Sequence, residues 1–385
     1  MYTLIIFIAV LAVLVLSHEA GHFIAARKSG MKVYEFGFGF PPRLFGWYKD
    51  PTTKKWVIVG RKFKREESPA TLYSLNLLPL GGFVSIKGEN HDETGSDSFG
   101  AQKAWKKAIT LSAGVAMNIV LAAVLLSIGL MIGLPQAVDG IKDESIIQNR
   151  RLEIIQVRPD SPAAKAGVLA GDVLAQVGIL EAPRLSGMQE YVNENTGKEV
   201  PVTLKRGEKT VVTTVTPELR SETGRGGIGV ALAEIGTVKY PWYRAIWQGI
   251  IYTGWYIKAI VVGFGLLLKG LFTGAGAGEA VAGPVGIAVM TGEAARMGIA
   301  YLIQFTALLS LNLAVLNIIP FPALDGGRLL FLGISKAIRR PVSEKWEQIA
   351  HAIGFMLLML LVVVVTVKDI SSFSGAITNF FKNIF

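Results

Sequence analysis

Long apolar runs alternate along this chain with shorter and more polar segments. The apolar runs cover residues 2–26, 104–134, 245–272, 298–320 and 346–367. An apolar stretch of about 18 or more residues predicts a helix that spans a membrane. The run 245–272 contains Lys258 and Lys269, whereas 298–320 is more cleanly apolar. The pattern predicts an α-helical polytopic membrane protein.

Composition and charge change this picture in one respect, the choice of partners. Hydrophobic residues make up 51% of the chain and charged residues 18%, below the roughly 25% of soluble domains. The net charge of +10 makes nucleic acid the first partner to test. The basic residues, however, flank apolar runs, as at Arg27-Lys28 and Arg339-Arg340. This pattern predicts contact with membrane lipid and excludes nucleic acid as the expected partner.

The first polar segment, 31–103, is rich in Lys and Arg. Two stretches in it predict strands near a membrane surface. One is Val33–Phe40, which we expect to end at Pro41-Pro42, and the other is Thr71–Ile86. Within the second strand, Gly81-Gly82 predicts a bend or bulge.

The second polar segment, 135–240, has more charge and Val-rich alternation. It predicts a small soluble α+β domain, with a hairpin over 200–217 that turns near Arg206–Lys209. The chain therefore divides into an N-terminal membrane half at 1–134, this inserted domain, and a C-terminal membrane half at 241–385.

The first span carries the motif HEAGH at 18–22. His18 and His22 are four residues apart and project from one helix face. Two such imidazoles can bind one zinc ion, and Glu19 beside them can accept a proton from water. A helix end that meets water, or a signal peptide, is the alternative. Ionisable residues inside a span are costly and not expected in a signal peptide, so the motif favours a functional site.

A catalytic zinc site needs a third protein ligand and an open position. The chain has no cysteine, so the third ligand is His, Asp or Glu. Asp325 follows an apolar helix in the segment NIIPFPALDGG, whose prolines end the helix and whose glycines permit a tight turn. An ordinary turn is the alternative role for Asp325, and His351 is the rival ligand.

The predicted topology follows from the positions of the basic residues and from the number of spans. Arg27 and Lys28 end the first span, so that end is expected to face the cytoplasm, with the N-terminus and the inserted domain outside. If 245–272 also crossed the membrane, 298–320 would run in the other direction. Asp325, which follows 298–320, would then lie on the far side of the membrane from His18 and His22. We therefore predict four true spans, with 245–272 interfacial or re-entrant. The zinc site then lies toward the cytoplasmic side of the plasma (inner) membrane, as does the basic stretch Arg328–Lys345.

These motifs resemble the site-2 protease family of intramembrane metalloproteases, and within it the bacterial regulator-of-sigma-factor type. HEAGH matches the family's HExxH, and NIIPFPALDGG at 317–327 matches N-x-x-P-x-P-x-L-D-G. LPLGGFV at 78–84 resembles its membrane-associated β-loop, and GPVGI at 283–287 resembles a segment before its third span. The resemblance therefore covers nearly the whole chain.

The resemblance implies His18, His22 and Asp325 as Zn²⁺ ligands and Glu19 as catalytic base. It also implies that Asn317 binds the substrate backbone or the developing oxyanion, for which an amide is a suitable donor. Capping of the broken helix is the alternative role for Asn317.

Hydrolysis needs an extended peptide, because a transmembrane helix hides its peptide bonds in internal hydrogen bonds. The edge of the strand at 71–86 can receive such a peptide by β-augmentation. We therefore predict Leu80, Gly81, Gly82 and Phe83 as substrate-binding residues. A simple interfacial hairpin is the alternative.

The inserted domain carries SPAAKAGVLAGDVL at 161–174, which resembles the PDZ pattern. Gly227, Ile228 and Gly229 resemble the carboxylate-binding loop of PDZ domains. This loop follows the Gly171-Asp172 pair in the chain, which indicates the circularly permuted bacterial form. Such a groove binds peptide termini or acts as a size filter, and the sequence leaves both roles open.

Together these features predict a zinc endopeptidase that cleaves single-span membrane proteins, such as anti-sigma factors or remnant signal peptides. Two other functions stay open. One is a membrane PDZ scaffold without catalysis, and the other is a membrane-anchored zinc peptidase acting on soluble peptides. The sequence leaves the oligomeric state undetermined.

Overall fold

The computed structural model describes residues 2–89, 93, 95–138, 141, 143–207, 209–220, 224–273, 282–340 and 342–372. The chain divides into two compact units. Unit 1 combines Met1–Ile128 with Ile246–Phe385, and unit 2 is Gly129–Ala245. The sequence analysis placed these boundaries at 134/135 and 240/241.

Helices dominate unit 1. The helices of the described chain are α1 (Tyr2–Lys28), α2 (Ala104–Ile132), α3 (Pro162–Lys165), α4 (Leu185–Glu194), α5 (Trp242–Phe272), α6 (Pro284–Met297), α7 (Ile299–Ile318), α8 (Asp325–Ala337) and α9 (Glu344–Ser372). Five of them, α1, α2, α5, α7 and α9, are long and apolar enough to cross a membrane. Helix α5 is unbroken, so the stretch predicted to be interfacial or re-entrant also has the length and composition of a span.

The strands form separate sheets in the two units. They are β1 (Val33–Lys49), β2 (Trp56–Val59), β3 (Leu72–Ile86), β4 (Leu134–Ala137), β5 (Ile147–Val157), β6 (Val173–Val177), β7 (Leu180–Glu181), β8 (Val200–Arg206), β9 (Lys209–Val215), β10 (Glu218–Arg220), β11 (Arg225–Gly227) and β12 (Val230–Val238). In unit 1 the order is β2-β1-β3.

Strand β1 is longer than the sequence predicts. It continues through Pro41 and Pro42 to Lys49, so the expectation that it ends at the prolines was wrong. The pairing of β1 with β3 is irregular between Phe40 and Arg43. Proline lacks a backbone N–H and is tolerated at such an interruption of the ladder, which allows the strand to continue.

Strand β3 bends back on β1. Phe36, in the N-terminal half of β1, pairs with both Tyr73 and Val84 of β3, so this half of β1 lies between the two halves of β3. The bend falls near Gly81, whose φ of +108° favours glycine. Among the described residues, Gly82–Ile86 has strand partners only in β1, and its other side is a free sheet edge.

Unit 2 is built around a sheet with the order β4-β12-β5-β6-β8-β9, and β7 pairs with β6. The predicted hairpin is confirmed as β8 and β9, with Arg206 opposite Lys209. Buried residues of β5, β6 and β8 form much of the core, including Leu152, Ile154, Leu174, Val177, Val202 and Leu204. Arg206 also donates two 2.8 Å hydrogen bonds to the buried Asp172 and holds the pKa of Asp172 below its usual range.

Candidate metal centre and active site

Helices α1 and α2 approach each other closely where the HEAGH motif lies. A Cβ atom on Gly21 would come within 2.2 Å of the Ala113 carbonyl oxygen, so only glycine fits there. Small residues at such contacts let the backbones of membrane helices pack closely. The contact brings the α2 backbone next to the two imidazoles of α1.

The residues that the sequence singled out for a metal converge. Nε2 of His18 lies 3.1 Å from Oδ2 of Asp325, and Nε2 of His22 lies 3.3 Å from the same oxygen. The two Nε2 atoms are 3.2 Å apart. Within the described residues these three side chains form one group whose candidate ligand atoms all lie within 4.8 Å of one another.

The carboxylate of Asp325 is presented by a tight loop between two helices. Helix α7 ends at Ile318 and α8 begins at Asp325. A Cβ on Gly326 or Gly327 would come within 2.3 Å of a carbonyl oxygen of this loop. Both positions therefore require glycine, but for close packing: the prediction of a tight turn at Gly326-Gly327 was wrong, because both residues lie in the first turn of α8.

The rival ligand, His351, has a different contact. Its Nδ1 accepts a 2.8 Å hydrogen bond from the backbone N–H of Ala323, which has a positive φ of 81°. In the described chain His351 does not join the metal-ligand group. It instead helps to fix the loop that ends at Asp325.

Both imidazoles have a second contact on α2. Nδ1 of His22 lies 2.8 Å from the Thr110 carbonyl oxygen, so it donates to that oxygen and leaves Nε2 free to bind a metal. Nδ1 of His18 lies 3.3 Å from the side-chain amide of Asn118. Asn118 is fully buried, and Oδ1 of this amide has no hydrogen-bond partner in the described chain. Rotating the amide by half a turn lets Oδ1 accept from His18, because amide O and N assignments are interchangeable.

Gly114 lies between these two contacts. A Cβ at this position would come within 2.3 Å of His22 Nε2 and 2.7 Å of His18 Cε1. Thr110, Gly114 and Asn118 are spaced by four residues and therefore share one face of α2. The imidazoles pack directly against that face.

Sequence reasoning missed these supporting residues. The signal that could have found them is Asn118, a polar side chain in the middle of an apolar span, where such residues are costly. Gly114 and Thr110 lie four and eight residues before Asn118, so the three positions would have indicated one face of α2 with small and polar residues. The sequence did single out His351, but as a rival ligand, and no local signal indicates its contact with Ala323.

Glu19 lies beside His18 on α1, and Asn317 lies on α7, the helix before the loop that leads to Asp325. Glu19 is half-buried on α1, and a Cβ on Gly82 would come within 3.4 Å of Glu19 Cγ. The edge of β3 is therefore next to the predicted base. Asn317 is half-buried in the last turn of α7, and its side chain caps no helix end in the described residues.

Zinc fits the donor set of this site. Two imidazoles and one carboxylate are a common set of three protein ligands in catalytic zinc sites, in which water occupies the fourth position. Oδ2 of Asp325 is buried without a hydrogen-bond donor in the described chain, and a cation would satisfy it. The Thr110 and Asn118 contacts supply the outer hydrogen bonds that metal-binding histidines usually have.

The other predicted substrate residues lie in two places. Gly81, Gly82 and Phe83 are on the free-edge half of β3 or at its bend, whereas the side chain of Leu80 lies outside the described residues. In unit 2, Gly227 ends β11, and Ile228 and Gly229 connect it to β12.

The loop of unit 2 is held by its neighbours. The Ile228 carbonyl accepts from Ala163 N–H at 3.0 Å, and the Gly229 carbonyl accepts from Arg158 N–H at 2.9 Å. The loop lines a groove whose volume is ≈ 1210 Å³. The groove lies between α4 and the first half of β12, with Leu185, Met188, Val192, Val230 and Leu232 among its lining residues.

Comparison with known proteins agrees with this arrangement. The family model for peptidase family M50 matches residues 6–59 and 51–361. The chain belongs to peptidase family M50. A relative described as a putative zinc metalloprotease of Clostridium perfringens is 34% identical, over 93% of this chain and 95% of the relative. The M50 chain is also 29% identical to the regulator of sigma-W protease RasP of Bacillus subtilis, over 96% of this chain and 98% of that protein.

Among the solved structures that are similar to part of this M50 chain is a bacterial PDZ domain. It is the PDZ domain of an SdrC-like protein from Listeria monocytogenes, at 23% identity, with a TM-score of 0.20. The match covers 21% of this chain and 85% of that domain.

Proposed function

We propose that this M50 peptidase is an intramembrane zinc endopeptidase that cleaves single-span membrane proteins. His18, His22 and Asp325 are the zinc ligands, and Glu19 is the general base. The observation that carries this proposal is the convergence of two imidazoles from the first apolar helix with a carboxylate from the loop after the fourth. Relatives named zinc metalloproteases support the choice of metal.

The residues around this group have separate tasks. A zinc ion held there would polarise the peptide carbonyl and lower the pKa of water. Glu19 accepts a proton from the attacking water and delivers it to the leaving amine. Asn317 donates a hydrogen bond to the carbonyl oxygen as negative charge develops. Thr110 and Asn118 hold the two imidazoles in the orientation that exposes their Nε2 atoms.

The edge of β3 presents the substrate. A peptide added to the half-strand Gly82–Ile86 would pair its backbone with a sheet and so be held extended. Its backbone would run beside Glu19, because Gly82 lies next to that side chain. Leu80, Gly81, Gly82 and Phe83 would line this peptide. The strand thus solves the problem of exposing a peptide bond that a helix hides.

The membrane arrangement is part of the proposal. The N-terminus and unit 2 lie outside a plasma membrane, and the zinc site lies toward the cytoplasmic side. Arg27 and Lys28 at the end of α1 support this orientation through the excess of basic residues in cytoplasmic flanks. Helix α5 then lies in the interface, which leaves four true spans; a re-entrant path would need a turn, whereas α5 is unbroken.

Substrates of this enzyme are single-span proteins such as anti-sigma factors, with remnant signal peptides as the second class. The name of the Bacillus subtilis relative, a regulator of sigma-W, supports the first class. The groove of unit 2, with Gly227, Ile228 and Gly229 at one end, binds an exposed peptide terminus or restricts the size of the substrate's outer part. Its lining combines apolar side chains, such as Met188 and Val192, with polar ones, such as Gln189 and Asn193, which supports binding of a peptide terminus through both its backbone and its side chains.

One experiment tests the proposal against a non-catalytic scaffold. Wild-type protein, Glu19→Gln and the exposed control Glu67→Gln are purified, and zinc content and cleavage of a model single-span substrate are measured. We expect all three to hold zinc and only Glu19→Gln to lose cleavage. Zinc binding by the wild type without cleavage of any membrane or soluble substrate would favour the scaffold.

A further inference from the structure

A second cavity lies on the surface of the helix pair that carries the metal-ligand group. Its volume is ≈ 400 Å³, and it runs along the contact between α1 and α2. The side chains along it are mainly apolar and exposed, among them Ile24, Ile109 and Val120, which are 40%, 49% and 53% exposed. Gly21 and Ala113 form its floor, where the two helices are in closest contact.

The length of this groove suits a lipid chain. It extends along α2 from Lys106 to Val120, a distance of about 21 Å at the helical rise of 1.5 Å per residue. One leaflet of the hydrocarbon core is about 15 Å thick. An extended acyl chain can therefore lie in the groove from the membrane surface to the middle of the bilayer.

The charged residues of the groove are all at one end. Lys28 is the last residue of α1 and is exposed, and it forms no ion pair among the described residues. Lys106 donates to the Ser29 carbonyl at 2.8 Å and to Gln102 at 3.3 Å, which leaves one of its three N–H donors. Trp105, at the same end, is a residue type enriched at membrane interfaces.

We propose that this groove binds one anionic glycerophospholipid. Its phosphate group lies at Lys28 and Lys106, and one acyl chain lies along the apolar groove toward Val120. The argument is charge complementarity at one end and a continuous apolar surface beyond it. This site requires that the helix pair lies in a bilayer, but it does not depend on peptidase activity.

The position of the groove gives the lipid a structural consequence. Gly21 and Ala113, at its floor, neighbour His22 and Gly114 in the chain, and these residues pack together at the metal-ligand group. A bound lipid therefore covers the back of the contact that positions the imidazoles. We expect the lipid to raise the unfolding temperature of the protein.

Native mass spectrometry of the full chain tests the site directly. Phosphatidylglycerol and phosphatidylcholine are titrated against wild type, Lys28→Gln and Ala116→Trp, which fills the groove. The matched controls are Lys269→Gln, at the end of another apolar helix, and Val124→Trp, an exposed position of α2 outside the groove. Thermal unfolding of every variant, with and without lipid, reports that it is folded.

We expect wild type and both controls to retain one phosphatidylglycerol in preference to phosphatidylcholine. Lys28→Gln should bind it about fivefold more weakly, the usual effect of one lysine near an anionic lipid surface, and Ala116→Trp should lose it. Equal retention of the two lipids, or equal losses in the test and control variants, would overturn the proposal.

A second measurement uses the absence of cysteine from the chain. Ala116→Cys introduces one thiol in the groove, and Val124→Cys introduces one outside it. Phosphatidylglycerol should slow maleimide labelling at 116 only. Protection at both positions would instead indicate nonspecific lipid, and protection at neither would show an unoccupied groove; each result contradicts the site.

Discussion

Gly114→Ala is expected to damage the metal site while it favours the helix that carries the substituted residue. The new Cβ would lie 2.3 Å from His22 Nε2, a distance that real Cβ atoms essentially never show. The same change favours the helix, because alanine has a higher helix propensity than glycine. The substitution therefore separates damage to the metal site from damage to the fold.

The size of the effect follows from the geometry. Restoring a contact of 3.0 Å requires the imidazole or the α2 backbone to move by about 0.7 Å, whereas metal sites keep their distances within about 0.2 Å. Loss of an outer hydrogen bond alone typically costs 10- to 100-fold in metal affinity or activity. We expect Gly114→Ala to weaken zinc binding by about 100-fold and to reduce cleavage accordingly.

The assay is zinc transfer to a chelator of known affinity, run beside thermal unfolding of the metal-free protein. The control is Gly254→Ala in α5, where an added Cβ meets no atom within 4 Å. We expect the control to gain helix stability of up to about 1 kcal/mol and to bind zinc normally. Zinc affinity of wild-type strength in Gly114→Ala would refute the packing of the imidazoles against α2.

Three further predictions follow from buried polar contacts. Asn118→Ala should lower zinc affinity at least tenfold in the same chelator assay, while Asn118→Asp, which keeps an acceptor for His18, should retain more of it. Asp172→Asn should destabilise unit 2 at pH 7 and make its stability less sensitive to acid, as urea unfolding at pH 7 and pH 3 can show. The reason is the lowered pKa of Asp172 in the folded state. The stabilisation is complete above the ordinary pKa of about 3.9 and is lost as the pH falls through the lower pKa of the folded state. Asp369→Ala removes the acceptor for the N–H groups at the start of α6, and faster amide exchange confined to 283–297 would show the loss, whereas unchanged exchange would contradict it.

The sequence predicts the ligand group because its parts obey local rules. A spacing of four places His18 and His22 on one helix face wherever the helix lies. The prolines of 317–327 end α7 and create the loop that leads to Asp325. These are short-range constraints, and the structure brings all three side chains together.

The supporting residues could not be predicted in the same way. The contacts of Thr110 and Asn118 depend on how α1 and α2 are aligned against each other, and no local pattern in the sequence fixes that alignment. The contact of His351 with Ala323 depends on where α9 lies relative to a loop 28 residues away. Helix α8 was likewise missed, because the two glycines after Asp325 have low helix propensity and are retained for close packing.

The strands show a different limit. The sequence predicts β3 closely but ends β1 at Pro41-Pro42, since proline usually interrupts a ladder. The strand continues because its pairing with β3 is already irregular there. The rule that proline ends a strand failed here because its outcome depends on the register of the partner strand. The local sequence does not show that register.

The central claim is that two imidazoles of α1 and the carboxylate of Asp325 hold one zinc ion. Zinc X-ray absorption spectroscopy of the purified, zinc-loaded chain tests it most directly. The account predicts two imidazole ligands with the remaining neighbours oxygen, and loss of one oxygen neighbour or of the metal in Asp325→Ala. A third imidazole in the wild type, or an unchanged spectrum in Asp325→Ala, would contradict it.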